Sequence, residues 1–359
     1  MKLSSKILLL VMAFVVLFRI SLPFSLRYAV NKYLGHLENY SAHVDDVGLS
    51  FYKGSYTLSG LRIWKKDRAE IQTFINVPKL EVSLLSHLAI DKKWFVGVDI
   101  YEPRLQVIDS VLPSHQQFGE SLPWCEILNR LVILNIESLR VRDGILLFQN
   151  YDYRKPVQIS VSKINVSAIN IHNTEGVRKS LPSRLNFSAL VQRGAWLRGS
   201  FDFNGSTSLP SFYGQIRLDD FQLTRMNNVF ILYGPYSFRL GSVSLFSRIF
   251  VNSGNIRGYL TPFLQNIDAV KMLWNNRISQ GYLADAVKAF GGIVLDNHTT
   301  QRLKGRRYAF QGQMVAGEEP WKNFWSTIRN GFIPIYPKKP IAMKKKHIVA
   351  EQIQELDND

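Results

Sequence analysis

The residues from Val44 to Asp109 alternate between apolar and polar side chains in several short runs. The apolar residues recur at every second position, as in Val47, Leu49 and Phe51, in Leu80, Val82 and Leu84, and in Val96, Val98 and Ile100. Because successive side chains of a strand point to opposite faces, this period predicts strands with one dry and one wet face. The protein must therefore cover a long apolar surface, with its own chain or with a bound molecule.

The composition indicates a folded protein, since 46% of the 359 residues are hydrophobic and only 20% are charged. This length is sufficient for two or three ordinary domains or for one extended domain. The single cysteine, Cys125, excludes a disulfide within the chain. We expect a buried thiol that behaves as a small apolar side chain.

The formal net charge of +16 is compatible with nucleic acid or with an anionic membrane as partner. Most basic residues are scattered singly through the alternating segments, and dense clusters occur only at Arg302–Arg307 and Lys344–His347. No helix-turn-helix, zinc-finger spacing or aromatic RNA-binding signature is visible. The sequence therefore favours wet strand faces and attraction to a membrane surface, without a nucleic-acid partner.

The N-terminal segment is strongly apolar and predicts a single-pass signal anchor over residues 1–26. Its unbroken part, from Ile7 to Phe18, would span about 18 Å as a helix, and continuation to Leu26 gives the length of a membrane span. The anchor residues are Ile7, Leu8, Leu9, Leu10, Val11, Phe14, Val15, Val16, Leu17 and Phe18. A cleaved signal peptide is the alternative, although the following segment has no clean pair of small residues for cleavage.

The rest of the chain divides into three predicted parts. An amphipathic helix over residues 27–42 would extend the anchor, lie along the membrane or cap the sheet. Residues 43–336 would form one β-domain with a joint at 110–126, and residues 337–359 a poorly ordered tail that is first basic and then acidic. After Pro262 the spacing of Leu264, Ile267 and Val270 predicts a helix, and more helices are expected towards the C-terminus.

Two dipeptides between alternating segments predict turns. Lys53-Gly54 and Asp143-Gly144 are each flanked by strand patterns, and the second is a strong hairpin signal. Similar segments follow both turns, VPKLEVSLLS in one case and VSKINVSAIN in the other. The sequence thus predicts that one supersecondary unit is used twice.

No catalytic or metal-binding motif emerges. The seven histidines are dispersed, and phosphate-binding, dinucleotide-binding and nucleophile motifs are missing from the sequence. The adjacent carboxylates Asp45-Asp46 and Asp219-Asp220 would point to opposite faces of their strands. We therefore predict a binding, conduit or scaffold protein rather than an enzyme, with no cofactor and no metal.

Two blocks resemble the AsmA-like envelope proteins of Gram-negative bacteria, in the branch catalogued as a domain of unknown function. The first is Ser25–Lys66 with the continuation Val77, Pro78, Leu80, Val82, Leu84, Leu85, Phe95, Val96, Val98, Pro103 and Leu105. The second is similar to the family's C-terminal block through Gly254, Arg257, Gly258, Pro262, Asn266 and Ile267.

The resemblance implies an inner-membrane anchor with the body in the periplasm. It also implies a mainly β fold, an elongated twisted antiparallel sheet curled into a half-pipe, whose apolar groove carries phospholipid between membranes. About 14 strands at about 4.8 Å spacing would give roughly 65 Å of groove. A scaffold for other envelope proteins is the alternative, and an envelope hydrolase is placed last.

The candidate groove residues are the apolar members of the alternating runs. They are Val47, Leu49, Leu80, Val82, Leu84, Val96, Val98, Ile100, Leu139, Val141, Phe187, Val191, Ile216 and Leu218. The core of an ordinary β-sandwich explains the same pattern equally well.

Overall fold

The computed structural model describes residues 3–35, 40–66, 73–85, 95–110, 117, 135–150, 157–171, 183–204, 211–234, 236–271, 287 and 307–313. Within these residues the protein is mainly β, with a single large twisted sheet and few helices. Helix α1 (Leu3–Leu34) precedes the sheet, and a 3₁₀ helix (Leu223–Met226) followed by helix α2 (Asn227–Tyr233) interrupts it.

Fourteen strands are described in chain order. They are β1 (Tyr40–His43), β2 (Asp46–Ser50), β3 (Ser55–Lys65), β4 (Thr73–Leu84), β5 (Phe95–Tyr101), β6 (Arg104–Asp109), β7 (Asn135–Asn150), β8 (Val157–Ile169), β9 (Ser183–Val191), β10 (Ala195–Asn204), β11 (Ser211–Gln222), β12 (Tyr236–Asn252), β13 (Asn255–Lys271) and β14 (Tyr308–Gln313). All belong to one hydrogen-bonded sheet in the order β1-β3-β4-β5-β7-β8-β9-β10-β11-β12-β13-β14.

Two pairs of strands each share one position in the sheet. Strands β1 and β2 pair with successive parts of β3, and β5 and β6 together fill the gap between β4 and β7. The sheet therefore has twelve strand positions rather than fourteen. At about 4.8 Å per step this shortens the expected width from roughly 65 Å to roughly 53 Å.

The sheet is mixed, so the prediction of an antiparallel sheet is wrong at one place. Strand β7 is parallel to both β5 and β6, whereas the other pairs are antiparallel. The reason is the connection of residues 111–134, after which the chain re-enters the sheet beside the start of β5. The predicted joint at 110–126 falls in this connection, most of which lies outside the described residues.

Irregular residues with positive φ lie beside one another in neighbouring strands. Gly60 of β3, Glu102 between β5 and β6, Asp143 of β7 and Lys163 of β8 have φ values of 65°, 49°, 52° and 50°. Ladder bonds connect the second and third of these sites, with the Glu102 amide donating to the Arg142 carbonyl. The strand register shifts at Asp143 and at Lys163, so these two sites are bulges, which bend a strand and increase its twist.

Asp143-Gly144 is one of these bulges, and the predicted hairpin turn is wrong. The dipeptide lies in the middle of the 16-residue strand β7, where the register to β8 shifts. Its Asp143 amide donates to the Asn165 side-chain oxygen of β8 over 3.2 Å. Lys53-Gly54, in contrast, does connect the antiparallel strands β2 and β3. The two dipeptides thus have different structural roles, against the predicted repeat.

Helix α1 is one continuous helix in place of the two predicted segments, the anchor over residues 1–26 and the helix over residues 27–42. It extends from Leu3 to Leu34 without a break and contains Pro23, so the helix predicted over 27–42 begins and ends too late. Strand β1 already starts at Tyr40. Among the described residues, no helix is both long enough and apolar enough to cross a bilayer.

The segment after Pro262 is a strand, and the predicted helix is wrong over its described part. Strand β13 continues to Lys271, with Asn266 at a bulge where φ is 50°. The extra residue of a bulge changes the spacing of inward side chains from two to three residues. Leu264 and Ile267 can therefore both face the core, which imitates helical spacing. The later predicted helices and the tail lie outside the described residues, apart from Val287.

Candidate functional site

One row of paired residues crosses all twelve strand positions. Directly paired residues of neighbouring strands point to the same face of a sheet. The row comprises Val47, Leu58, Leu80, Ile100, Val141, Val166, Phe187, Gly199, Ile216, Ser247, Leu260 and Tyr308. Only Gly199 and Ser247 lack an apolar side chain, and the Ser247 hydroxyl donates to the Tyr259 carbonyl over 3.1 Å.

A second row lies two residues away on each strand and therefore on the same face. It comprises Leu49, Tyr56, Val82, Val98, Leu139, Ala168, Leu185, Phe201, Gly214, Ile249, Gly258 and Phe310. Partial burial raises the pKa of the Tyr56 phenol to about 12, so this side chain is neutral at physiological pH. The two rows define a continuous surface, which we call the apolar face.

All fourteen candidate residues lie on the apolar face. The first row contains Val47, Leu80, Ile100, Val141, Phe187 and Ile216, and the second contains Leu49, Val82, Val98 and Leu139. Leu84 pairs with Val96 next to the second row. Val191 and Leu218 follow at even spacing along β9 and β11. Sequence reasoning missed several members of the rows, among them Val166, Leu185 and Phe201, although the same alternation marks them.

The opposite surface, which we call the outer face, is polar. Its central row comprises Thr57, Glu81, Asp99, Arg140, Ser167, Asn186, Ser200, Gln215, Arg248, Tyr259 and Ala309. Ion pairs link neighbouring strands, as between Arg142 and Asp99 at 3.2 Å. Within β4, a hydrogen bond from Lys79 to Glu81 raises the pKa of the lysine. The sheet thus separates an apolar from a charged surface.

The first end of the apolar face is covered by helix α1. Leu34 is fully buried, and Leu26 and Val30 pack against the same cluster, which includes Val82 and Val96. Those two valines are only 2% and 1% exposed. The Asn31 side chain donates to the Val44 carbonyl and accepts a bond from the Val44 amide. In this part the predicted residues form an ordinary packed core.

A second covered part lies under the 3₁₀ helix and α2, and a third cluster near the last strands buries the row members Ile249 and Phe310. Leu223, Val229 and Tyr233 are all fully buried, and Val191 and Leu218 pack against their cluster. The sequence analysis missed this helical insertion. Its signal was the spacing of Leu223, Met226, Phe230 and Tyr233, which matches one face of a helix.

A buried polar contact joins this insertion to the sheet. The Tyr233 hydroxyl donates to Asp109 Oδ2 over 2.5 Å and accepts from Asn150 Nδ2 over 3.0 Å. Asp109 and Asn150 are the paired last residues of β6 and β7. A donor and an acceptor buried together satisfy one another, so α2 is fixed over the end of the apolar face.

Between the covered parts the apolar face is half-buried. We call this part the central strip, which consists of Val141, Val166, Leu185, Phe187 and Phe201. None of them belongs to the buried clusters formed by the described residues. The Phe187 and Phe201 rings stack with 6.2 Å between their centroids. The central strip is therefore an aromatic and aliphatic surface that the described elements leave partly accessible.

Two glycines allow these rings to lie flat on the sheet. Gly199 pairs with Phe187 and Gly214 pairs with Phe201. A Cβ at Gly199 would lie 2.3 Å from Phe187 Cε1, and one at Gly214 would lie 2.3 Å from Phe201 Cε1. Any larger residue would push the rings away from the sheet, so both glycines are needed for this close approach.

The described residues contain no group of three or more His, Cys, Asp or Glu side chains that could hold a metal ion. The surface offered by the apolar face is suited to packing against apolar molecules, because its row members carry almost no polar groups. Charged groups are concentrated on the outer face instead.

Comparison with known proteins gives no match. Neither the protein-family models nor the curated proteins include one that matches this sequence. The resemblance to the AsmA-like family stays a prediction.

Proposed function

We propose that the apolar face binds the acyl chains of phospholipids and that the protein handles lipid in a bacterial envelope. The observation that carries this proposal is the continuity of the apolar face. The two rows cross twelve strand positions with an apolar side chain or glycine at every position except Ser247, and the central strip between the covered parts is only half-buried. An accessible apolar surface of this kind is expected to be covered by a ligand or a partner.

The chemistry of the central strip suits a chain of methylene groups. Burial of each methylene is favourable by about 0.8 kcal/mol, so one acyl chain laid along the rows gains binding energy without any polar contact. The stacked rings of Phe187 and Phe201 provide a flat contact surface. The polar headgroup would stay in water at the rim, which requires no charged side chain within the strip.

Helix α1 supports the location that goes with this function. The described side chains of its first half include Leu10, Phe14 and Leu17, which are 71%, 66% and 66% exposed. Apolar side chains exposed along a helix are stabilised by insertion into lipid. We infer attachment to the inner membrane through this half, with the sheet in the periplasm and its edge strands β1 and β2 nearest to the anchor.

Mass spectrometry of lipids that co-purify with the gently extracted protein tests the proposal. We expect phospholipid bound to the native chain and a several-fold loss in the variant Leu185→Asp, because a carboxylate in the central strip opposes acyl burial. The matched control is Asn186→Asp, since Asn186 is the next residue of β9 and faces outward.

The outcomes separate the competing functions. Equal lipid content in the two variants, or a lipid-free native protein with its central strip filled by its own chain, would overturn the proposal. A stoichiometric protein partner recovered without lipid would favour the scaffold function instead.

A further inference from the structure

The outer face changes in character along the sheet. On strands β5 to β11 five arginines lie beside the carboxylates of Asp99, Asp202 or Asp219. Arg142 lies 3.2 Å from Asp99, and Arg184 Nε donates to Asp202 Oδ1 over 2.7 Å, which raises the pKa of the guanidinium. Such pairs neutralise the positive charge locally.

This compensation is missing near the last strands of the sheet, for Arg248 of β12, Arg257 of β13 and Arg307, which directly precedes β14. No acidic side chain in the described part of the chain lies within ion-pair distance of Arg248, Arg257 or Arg307. All three are exposed. Arg248 pairs with Tyr259, and Arg257 pairs with Phe250. The outer face at the end of the sheet therefore carries three exposed positive charges that no described carboxylate compensates.

Aromatic rings lie between these arginines. The Arg307 guanidinium lies 5.0 Å from the Tyr259 ring centroid, and that of Arg248 lies 5.4 Å from the Phe246 ring. Phe250 is 48% exposed and Phe263, which pairs with Ser244 on the same face, is 42% exposed. We call this surface the basic–aromatic patch, formed by Arg248, Arg257, Arg307, Phe246, Phe250, Tyr259 and Phe263.

We propose that the basic–aromatic patch docks onto an anionic phospholipid membrane. Arginine binds phosphate through its fork of donors, and aromatic side chains are stable at the boundary between headgroups and acyl chains. A bilayer places phosphate directly beside apolar material, which matches arginines interleaved with exposed phenylalanines. Each arginine near an anionic membrane increases binding by about fivefold, so three together have a large effect.

Together with the attachment through α1 proposed above, on which this point rests, the patch would provide a second membrane contact. Strands β12 to β14 occupy the last positions of the sheet, whereas α1 contacts β1 and β2 at the first position. The nine steps from β1 to β12 correspond to roughly 43 Å at the usual strand spacing. The patch also lies on the face opposite to the apolar rows. The inference therefore does not depend on lipid in the central strip.

A vesicle-tethering assay with the full chain tests this inference. The protein is reconstituted into vesicles of phosphatidylcholine, and target vesicles contain phosphatidylcholine alone or with phosphatidylglycerol. We expect capture of the anionic targets only, with loss of capture as the salt concentration approaches about 1 M. The triple variant Arg248→Glu, Arg257→Glu and Arg307→Glu should lower capture at least tenfold.

The control has the same change in charge elsewhere on the surface. Lys53, Arg104 and Lys163 are exposed, and their joint replacement by Glu should leave capture unchanged. Should the Glu variant of the patch fail to fold, replacement of the same arginines by Gln gives the same comparison.

Three results would overturn the inference. The first is equal capture of neutral and anionic target vesicles, and the second is an equal loss of capture in the patch and control variants. The third is displacement of the vesicles by a single-stranded RNA that binds the patch more tightly. Co-purified lipid is measured separately, so failure here leaves the proposed function of the apolar face unaffected.

Discussion

The part of the apolar face under α1 and the central strip have the same sequence pattern and different environments. Val82 and Val98 on one side and Leu185 and Phe187 on the other all follow the alternation of their strands. The two valines are buried in the cluster against which α1 packs, whereas the other two residues are half-buried. Alternation therefore marks the dry face of a sheet but does not indicate what covers that face.

The largest effect on stability should come from a carboxylate introduced into the apolar face, and its size should differ between the buried cluster near α1 and the central strip. We expect Val82→Asp to destabilise the protein by about 4 kcal/mol or more, because a carboxylate would be buried without a partner. Leu185→Asp should cost only about 1–2 kcal/mol, since its side chain reaches water. Urea unfolding followed by circular dichroism measures both. Equal losses would mean that the central strip is as closed as the core.

This contrast also affects how the groove residues can be tested. Val82 and Val98 are two of the candidate groove residues named from the sequence. Their burial makes unfolding the expected result of a charge at both positions, so lipid binding is better examined at Leu185.

A smaller effect should follow from loosening the second covered part. Tyr233→Phe removes the hydroxyl that contacts both Asp109 and Asn150, and we expect a loss of about 1–3 kcal/mol. Tyr236→Phe is the control, with an expected change within about 0.5 kcal/mol. Burial raises the pKa of Tyr236, and no hydrogen bond of its hydroxyl is described. Equal stability of the two variants would show that packing alone fixes α2.

The smallest effect concerns pH. The pKa of Tyr56 is about 12 in the folded protein against about 10 for a free phenol, so the folded state holds this proton more tightly. The resulting stability is complete below pH 10 and is lost as the pH rises from 10 towards 12. Urea unfolding at pH 9 and pH 11 should show a smaller decrease for Tyr56→Phe than for the native chain. An identical decrease in stability for the two chains would mean that the Tyr56 phenol is exposed to water in the folded protein.

Much of the fold could be predicted because strand alternation is local. The dry faces of β4 and β5 were correctly grouped from spacing alone, and the turn at Lys53-Gly54 was correctly placed. In the first run Val47 and Leu49 share a face of β2, but Phe51 lies in the following turn and is exposed, so its inclusion was wrong. Errors arose where a bulge changed the local spacing. Asp143-Gly144 has the composition of a hairpin turn but is a bulge in β7, and the bulge at Asn266 made β13 resemble a helix.

The candidate site was predictable only in part. The residues of the rows could be named from their alternation, but their grouping depended on pairing between distant segments. Val141 lies beside Ile100 because β7 re-enters the sheet parallel to β5, and no local signal marks that choice. The insertion at Leu223–Tyr233 was missed because its apolar residues continue those of β11.

The sequence by itself determined that this protein has a sheet with a dry and a wet face, because side-chain direction along a strand is set by the backbone. Tertiary structure alone decided which strands are neighbours, where α1 and α2 cover the dry face, and which arginines lack a carboxylate. These features depend on contacts between residues far apart in the chain, and the free energy of such contacts is not encoded in local spacing.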